Sequence, residues 1–332
     1  MPTQSVEIVV LTIIPEEYEA VVAVVENPQD WHSVRSESNR YAWKIGCIGS
    51  HSVAVGLVGK PCTTPTALAA RDAYETFSPA TIVLIGIAGG TSRDEQRVGD
   101  VMIAETIWYY EYGKVESEFA PRHNYRYHAD DVLLRSAKAH NKVQQCGVRF
   151  GLAASGEKVI DNIDDSIARA VLSGEPKTLA FEMEGAGAAE AVQQINSRGG
   201  HVRFLMIRGI SDMPPSGVAQ PGTQTESRDH AKIPAARAAA GFFRSWVGGT
   251  SWPDAPPRPE PSVKDARQAL ERHTPTDDLF ESFCNERFPA VAKAFSSGMT
   301  LLAKRTYLLK AVPARAVITA LAAFVDEDGE MS

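Results

Sequence analysis

Apolar positions along the first two thirds of the chain follow two alternating rhythms. Residues 6–14 read VEIVVLTII, an apolar run rich in β-branched side chains, which predicts a strand buried on both faces. Pro15 ends it, and from Glu16 the spacing of Tyr18, Val21, Val22 and Val25 becomes helical. Proline suits the first turn of that helix, because the N–H it lacks would have had no intrahelical partner. Further buried strands are predicted at 53–58, 81–87, 101–104 and 201–207, with helices such as 66–77 and 186–196 between them. The alternation predicts an α/β domain with a mainly parallel sheet.

The pattern changes at residues 248–262. GGTSWPDAPPRPEPS concentrates proline and glycine without either period and reads as a linker. Beyond it, 263–325 has helical spacing throughout: Ala266, Ala269 and Leu270, then Leu279, Phe280 and Phe283, then Val317, Leu321 and Phe324. The expected organisation is a domain over 1–247, a linker over 248–262 and a small all-α bundle over 263–332. Phe283, Phe288, Phe295 and Leu309 are expected in the core of that bundle.

Composition narrows the function classes. A net charge of -7 gives no general basic surface for holding a polyanion, so nucleic acid is not expected as a ligand. Cys47, Cys62, Cys146 and Cys284 are widely spaced and form no CxxC pair, so they read as reduced thiols rather than a metal site. With no apolar run of about 18 residues and acidic Glu7 where a signal peptide would carry basic residues, neither membrane nor export is expected, and the chain is assigned to the cytoplasm.

Candidate chemistry collects where buried strands give way to loops or helices, the place where open α/β sheets build ligand sites. Glu17 stands there, readable either as a first-turn carboxylate facing a helix dipole or as a reactive group. Asp212 in RGISD reads either as a cap or as an acid. Glu182 and Glu184 in FEMEG would share a face of an extended backbone, where two like charges need a donor or ligand between them. Glycine-bearing loops are expected at IGIAGG (85–90) and ASGE (154–157). Neither is a GxGxxG or P-loop signature.

Taken in order, Glu17, then IAGG (87–90) followed by VGD (98–100), SGE (155–157), FEMEG (181–185) and RGISD (208–212) resemble the nucleoside phosphorylase and nucleosidase superfamily. Within it the methylthioadenosine/S-adenosylhomocysteine nucleosidases are most similar. The resemblance spans about residues 6–247. It implies a phosphorylase/hydrolase-like mixed, mainly parallel sheet flanked by helices, usually dimeric through this domain, with no metal or organic cofactor. It also implies roles: Asp212 serves N7 of a purine, Glu17 activates water and Glu184 accepts from the ribose 2′- and 3′-hydroxyls. Met183 lies beneath the sugar, Val159 and Ile160 line the base pocket, and Arg208 and Ser211 fix the acid loop. Gly89 and Glu182 complete the substrate contacts.

Two places where phosphorylases hold phosphate with arginine read TIIPEEY and TIVLIGIAGG, without arginine. Hydrolysis is therefore expected. A phosphate-dependent phosphorylase and a non-catalytic nucleotide sensor are the alternatives. Arg122, His123 and Arg126, in a basic and aromatic stretch over 109–128, read as a solvated loop or as contacts for a 5′-phosphate chain. Finally, DDLFESFCNERFPAVAKAFSSGMTLLAKRTYLLK (277–310) resembles the effector-associated, death-like domains of prokaryotic defence systems. That implies a protein partner with a related helical domain and a regulated purine nucleosidase.

Overall fold

The computed structural model describes residues 6–31, 41–91, 95–115, 119–144, 147–216, 223–256 and 262–329; Cys146 and residues 257–261 of the expected linker lie outside them. The chain divides into two compact units, Ser5–Pro256 and Pro257–Ser332.

In the first unit, β1 (Ile8–Thr12), α1 (Pro15–Val22), β2 (Glu26–Trp31), β3 (Ala42–Ile48), β4 (His51–Leu57), α2 (Thr63–Phe77) and β5 (Thr81–Gly90) come first. β6 (Val101–Tyr109), β7 (Gly113–Val115), β8 (Phe119–Pro121), β9 (Arg126–His128), α3 (Asp131–Gln144) and β10 (Arg149–Ser155) follow. Last are α4 (Ser166–Gly174), β11 (Thr178–Glu182), α5 (Gly185–Ser197), β12 (Arg203–Asp212) and α6 (Thr223–Val247). Ten strands form one mixed sheet in the order β11-β10-β6-β12-β5-β1-β4-β3-β2, with β9 beside β6. β1 is parallel to both β4 and β5, and β5 to β12. β11 returns to pair antiparallel with the end of β5, closing part of the sheet into a ring.

Both faces of the central strands are buried, as the β-branched runs require. Val9 and Leu11 pack with Ala69 and Ala70 of α2 and Ala188 and Ala189 of α5. Ile8 and Val10 face the other way, onto Val21 of α1, Leu133 of α3 and Ala236, Phe243 and Trp246 of α6. Period-two alternation thus serves two cores rather than one core and solvent. Helix α6 lies close enough to β12 that a Cβ on Gly209 would meet the Ala235 backbone.

Two expectations need correction. IGIAGG is not a loop: β5 runs through Gly90, with Phe181 opposite Gly89 and Ala180 opposite Gly90. Its glycines admit neighbouring side chains instead of making a turn. The chain after Val247 is docked rather than free. The rings of Trp246 and Trp252 pack 4.7 Å apart, the Ser136 hydroxyl donates to the Ser251 carbonyl, and Arg203 Nη1 donates to the Asp254 carbonyl at 2.5 Å. A large aromatic ring with an apolar partner outweighs the proline-rich composition around it.

The second unit contains α7 (Val263–His273), α8 (Asp277–Arg287), α9 (Pro289–Ala292), α10 (Leu301–Ala311) and α11 (Ala314–Gly329). Ser262, Thr276 and Thr300 cap three of these helices by accepting backbone N–H bonds. Phe280, Phe283, Leu309, Val317, Leu321 and Phe324 belong to a core of its own, with Phe288 and Phe295 partly buried against it. Among the described residues, no single helix is long and apolar enough to cross a membrane.

Candidate active site

The carboxyl ends of β1, β5, β11 and β12, with the segment after β10, enclose a cavity of about 240 Å³. Glu17, Gly89, Val159, Ile160, Glu182, Met183, Glu184, Ser211 and Asp212 all line it. β1, β5 and β12 are parallel and so point their carboxyl ends the same way, and β11 is brought to them by its antiparallel pairing with the end of β5.

Glu17 holds the start of α1 and also lines the cavity. At the third position of α1 its Oε2 accepts from the backbone N–H groups of Ile13 (2.7 Å) and Ile14 (3.2 Å), fixing the start of the helix. Its Oε1 accepts from Ile87 N–H at 2.9 Å, joining α1 to β5. The side chain is nearly sealed, and burial raises its pKa against the lowering influence of Arg208 and the three N–H donors.

Glu182 and Glu184 do not share an extended face. Glu182 ends β11, whereas Glu184 sits at the N-cap of α5 with φ −127° and ψ −27°. They converge all the same on one nitrogen: Arg208 Nη2 donates to Glu182 Oε2 at 2.5 Å and to Glu184 Oε2 at 3.0 Å. The donor that the charge pair demanded is therefore a buried arginine. Glu182 Oε2 also accepts from Glu184 N–H (3.0 Å) and Gly185 N–H (2.8 Å), so this residue anchors α5 beneath the cavity.

Glu184 is pushed up to about 7 by burial, with the charges of Glu182 and Glu17 adding to the effect and Arg208 opposing it. Burial disfavours the Arg208 cation, but Glu182, Glu184 and Glu17 outweigh that and raise its pKa. Its Nε and Nη1 find no hydrogen-bond acceptor among the described residues. Gly86 is where this crowding becomes a sequence requirement, since a Cβ there would run into Arg208 Nη1 and stand 2.6 Å from Glu17 Oε1.

Asp212 ends β12 at an irregularity in its pairing with β5, and Ser211 Oγ donates to its Oδ1 at 2.7 Å. Opposite, Cys62 precedes α2 with φ +85°, a strained conformation for a residue with a side chain. That conformation delivers its N–H to Glu184 Oε1 at 3.2 Å. Its thiol, pushed up to about 11 by burial and by Glu157, is protonated at neutral pH.

Arg208, expected to fix the acid loop, stands four residues before Asp212 in β12 and bonds Glu182 and Glu184. Arg122, His123 and Arg126 do not line the cavity. β9 pairs with β6, His123 stacks on Trp108, and Arg126 Nη2 donates to Glu175 Oε2 at 2.6 Å, so these groups serve local packing. Lining residues absent from the expectations include Ile13, Ile14, Pro61, Phe181, Lys158 and Lys232. Lys158 adjoins the expected Val159 and was within reach of the sequence. Lys232 stands in a helix with no motif around it.

Among the described residues, no group of three or more His, Cys, Asp or Glu side chains has a metal-binding arrangement. Cys47, Cys62 and Cys284 are free thiols.

The chain belongs to the phosphorylase superfamily, whose family model matches residues 7–244. It is 29% identical over 151 residues to a 5′-methylthioadenosine/S-adenosylhomocysteine nucleosidase of Oceanobacillus iheyensis, a match covering 44% of this chain and 62% of that relative. Among solved structures it is similar to the Neisseria meningitidis enzyme of the same name in complex with methylthio-immucillin-A. That likeness has a TM-score of 0.60 and 21% identity over 73% of this chain and 98% of the other. It is similar as well to futalosine hydrolase of Helicobacter pylori, with a TM-score of 0.60 and 18% identity over 73% and 97% of the two chains. These two likenesses establish the fold.

Proposed function

We propose that the first unit is a purine nucleosidase that hydrolyses the N-glycosidic bond of an adenine nucleoside or nucleotide. The observation carrying this reading is that Glu17, Met183, Glu184 and Asp212 line one cavity at the strand ends. Cleavage develops positive charge on the sugar and negative charge on the leaving base, so a site must meet both. Asp212 gives a proton to N7 of the base, Ser211 holding its other oxygen. Water attacks the anomeric carbon, its proton passes to Glu17, and Glu184 accepts from the ribose hydroxyls. Arg208 offsets the charge of the three glutamates. The products are the free base and the free sugar or sugar phosphate.

Hydrolysis is favoured over phosphorolysis because the attacking group faces the Glu17 carboxylate, which repels phosphate but suits activation of water. The named relatives, two nucleosidases and a hydrolase, agree with that choice. Incubating the protein with adenosine, methylthioadenosine and AMP, with and without phosphate, tests it. Free adenine without phosphate is expected. Strict phosphate dependence with a ribose 1-phosphate product overturns the reading.

The second unit is a recruitment domain for a protein partner bearing a related helical domain, which makes the enzyme a regulated effector of a prokaryotic defence or signalling system. Its separate core and its own capped helices support an independent role. The same reading includes a cytoplasmic homodimer formed through the first unit, which light scattering of the full chain tests.

A further inference from the structure

Two lysines reach the cavity, and they are held differently. Lys158 Nζ lies 2.7 and 2.5 Å from the two oxygens of Glu111, whose side chain is only 17% exposed. Lys232 Nζ lies 2.6 Å from Asp229 Oδ1 within the same helix, and that partner is 57% exposed. A pair one helical turn apart whose acidic partner is exposed is weak and screened by salt, so the half-buried Lys232 can exchange Asp229 for an anion inside the cavity at little cost.

The place of Lys232 follows from the topology. Helix α6 comes back from the Asp212 end of β12 and lies over Gly209 at Ala235. Three residues toward the start of the helix, Lys232 is at the level of the cavity, and α6 also packs on α1, which carries Glu17.

In the hydrolase reading, on which this inference rests, the purine meets Asp212 with Val159 and Ile160. The ribose hydroxyls meet Glu184, and water meets Glu17. The 5′ end of the sugar then falls to the rest of the lining, in which the two cations are Lys158, already engaged by both oxygens of Glu111, and Lys232. A thioether there offers the ammonium almost no compensation for the water it loses, and a hydroxyl offers one neutral acceptor. A phosphate offers charge-assisted acceptors. It also brings negative charge into a cavity already lined by Glu17, Glu182, Glu184 and Asp212, which is tolerable only beside a cation.

We infer that Lys232 determines specificity at the 5′ end and that the cavity takes a nucleoside 5′-phosphate. Hydrolysis then adds water across the glycosidic bond: the hydroxyl goes to the anomeric carbon and a proton to the base, giving free purine and ribose 5-phosphate. The phosphate ester is untouched.

The test measures adenine release by the full chain from AMP, adenosine and 5′-methylthioadenosine, for the natural protein and for Lys232→Ala and Lys232→Arg. The expected kcat/KM for AMP exceeds those for the other two by at least about tenfold, the scale of one charge-assisted contact. Lys232→Ala should lower the AMP-to-adenosine ratio by a similar factor, mainly through KM, and Lys232→Arg should keep most of it. Preference for adenosine or methylthioadenosine in the natural protein, or an unchanged ratio in Lys232→Ala, overturns the 5′-phosphate assignment and leaves the hydrolase reading standing. Base release from none of the three overturns the hydrolase reading and this inference together.

Discussion

Arg208 donates to Glu182 at 2.5 Å with both side chains sealed from solvent, so the charge that holds the floor of the cavity together is paired where water cannot screen it. Removing one partner of such a pair leaves the other buried and uncompensated, which typically costs about 3–5 kcal/mol. Arg208→Met is therefore expected to lower stability on that scale. Adding Glu182→Gln and Glu184→Gln to it should restore part of the loss, because the stranded charges disappear with the arginine. Urea midpoints of the single and triple variants measure this; a single variant as stable as the natural chain removes the argument.

Gly86→Ala is a sharper probe of the same crowding. The added methyl would collide with Arg208 and with Glu17, both pinned by other bonds, so neither can move aside freely. Overpacking of this kind costs about 1–3 kcal/mol. Base release should fall along with the thermal midpoint, since Glu17 is the group proposed to meet water and Arg208 holds the Glu184 proposed to meet the ribose. A variant with unchanged midpoint and turnover would show that the strand shifts to accept the methyl.

Much of this was legible in the sequence because period and punctuation agree with packing. The β1 run, Pro15 at the start of α1 and the apolar strand ends leading into Glu17, Glu182 and Asp212 were readable from local pattern. What escaped was set by tertiary pairing. IGIAGG looks like a turn, yet β11 pairs with it and makes it a strand. Arg208 looks like a loop anchor because it neighbours Asp212 in sequence, but inside β12 its guanidinium meets Glu182 and Glu184, which β11 and the start of α5 bring beside it. Arg126 looked available for phosphate until Glu175 came beside it from α4. Lys232 has no sequence signature at all, for it reaches the cavity only because α6 folds back over β12.

The acid–base roles separate by substitution. Asp212→Asn keeps size and shape and should lower turnover by at least ~100-fold with little change in the thermal midpoint, as general acids commonly contribute 10²–10⁴-fold. Glu17→Gln should lower turnover similarly but also destabilise by about 1–2 kcal/mol. Its new amide nitrogen would face backbone N–H donors at either Ile13 and Ile14 or Ile87, leaving a buried donor unsatisfied. Near-natural rates in both variants, measured on folded protein, would exclude the mechanism.

Acidity should enter through Glu17 and Glu184. Glu17 takes a proton from water only when ionised, so kcat/KM is expected to fall as pH drops through its raised pKa. Stability moves the opposite way. A carboxyl with a raised folded-state pKa binds its proton more tightly in the folded chain, so its contribution is fully present below the unfolded value and is lost as pH rises through the folded one. For Glu184 that window runs from its ordinary value near 4.5 to about 7. Urea midpoints should therefore decline across it, and Glu184→Gln should flatten the decline. A stability that rises through the window in the natural chain and is unaltered in the variant would contradict the assignment.

The docked stretch after α6 decides where the first unit can be cut. A chain ending at Val247 loses the Trp252 ring against Trp246, the Ser251 carbonyl bound by Ser136 and the Asp254 carbonyl bound by Arg203. A chain ending at Pro256 keeps all three, along with the Trp252 indole N–H directed at Glu7, 3.4 Å away. Burying one aromatic side chain contributes about 1.5–3 kcal/mol, so the longer form should unfold several degrees above the shorter one. Both retain the residues that line the cavity, and the longer should release base as the full chain does. If the helical unit serves recruitment, that same form should fail to capture a partner bearing a related helical domain, which the full chain retains in a pull-down. Equal midpoints for the two cuts would make the docked stretch incidental to stability, and capture by the form ending at Pro256 would remove the recruitment role.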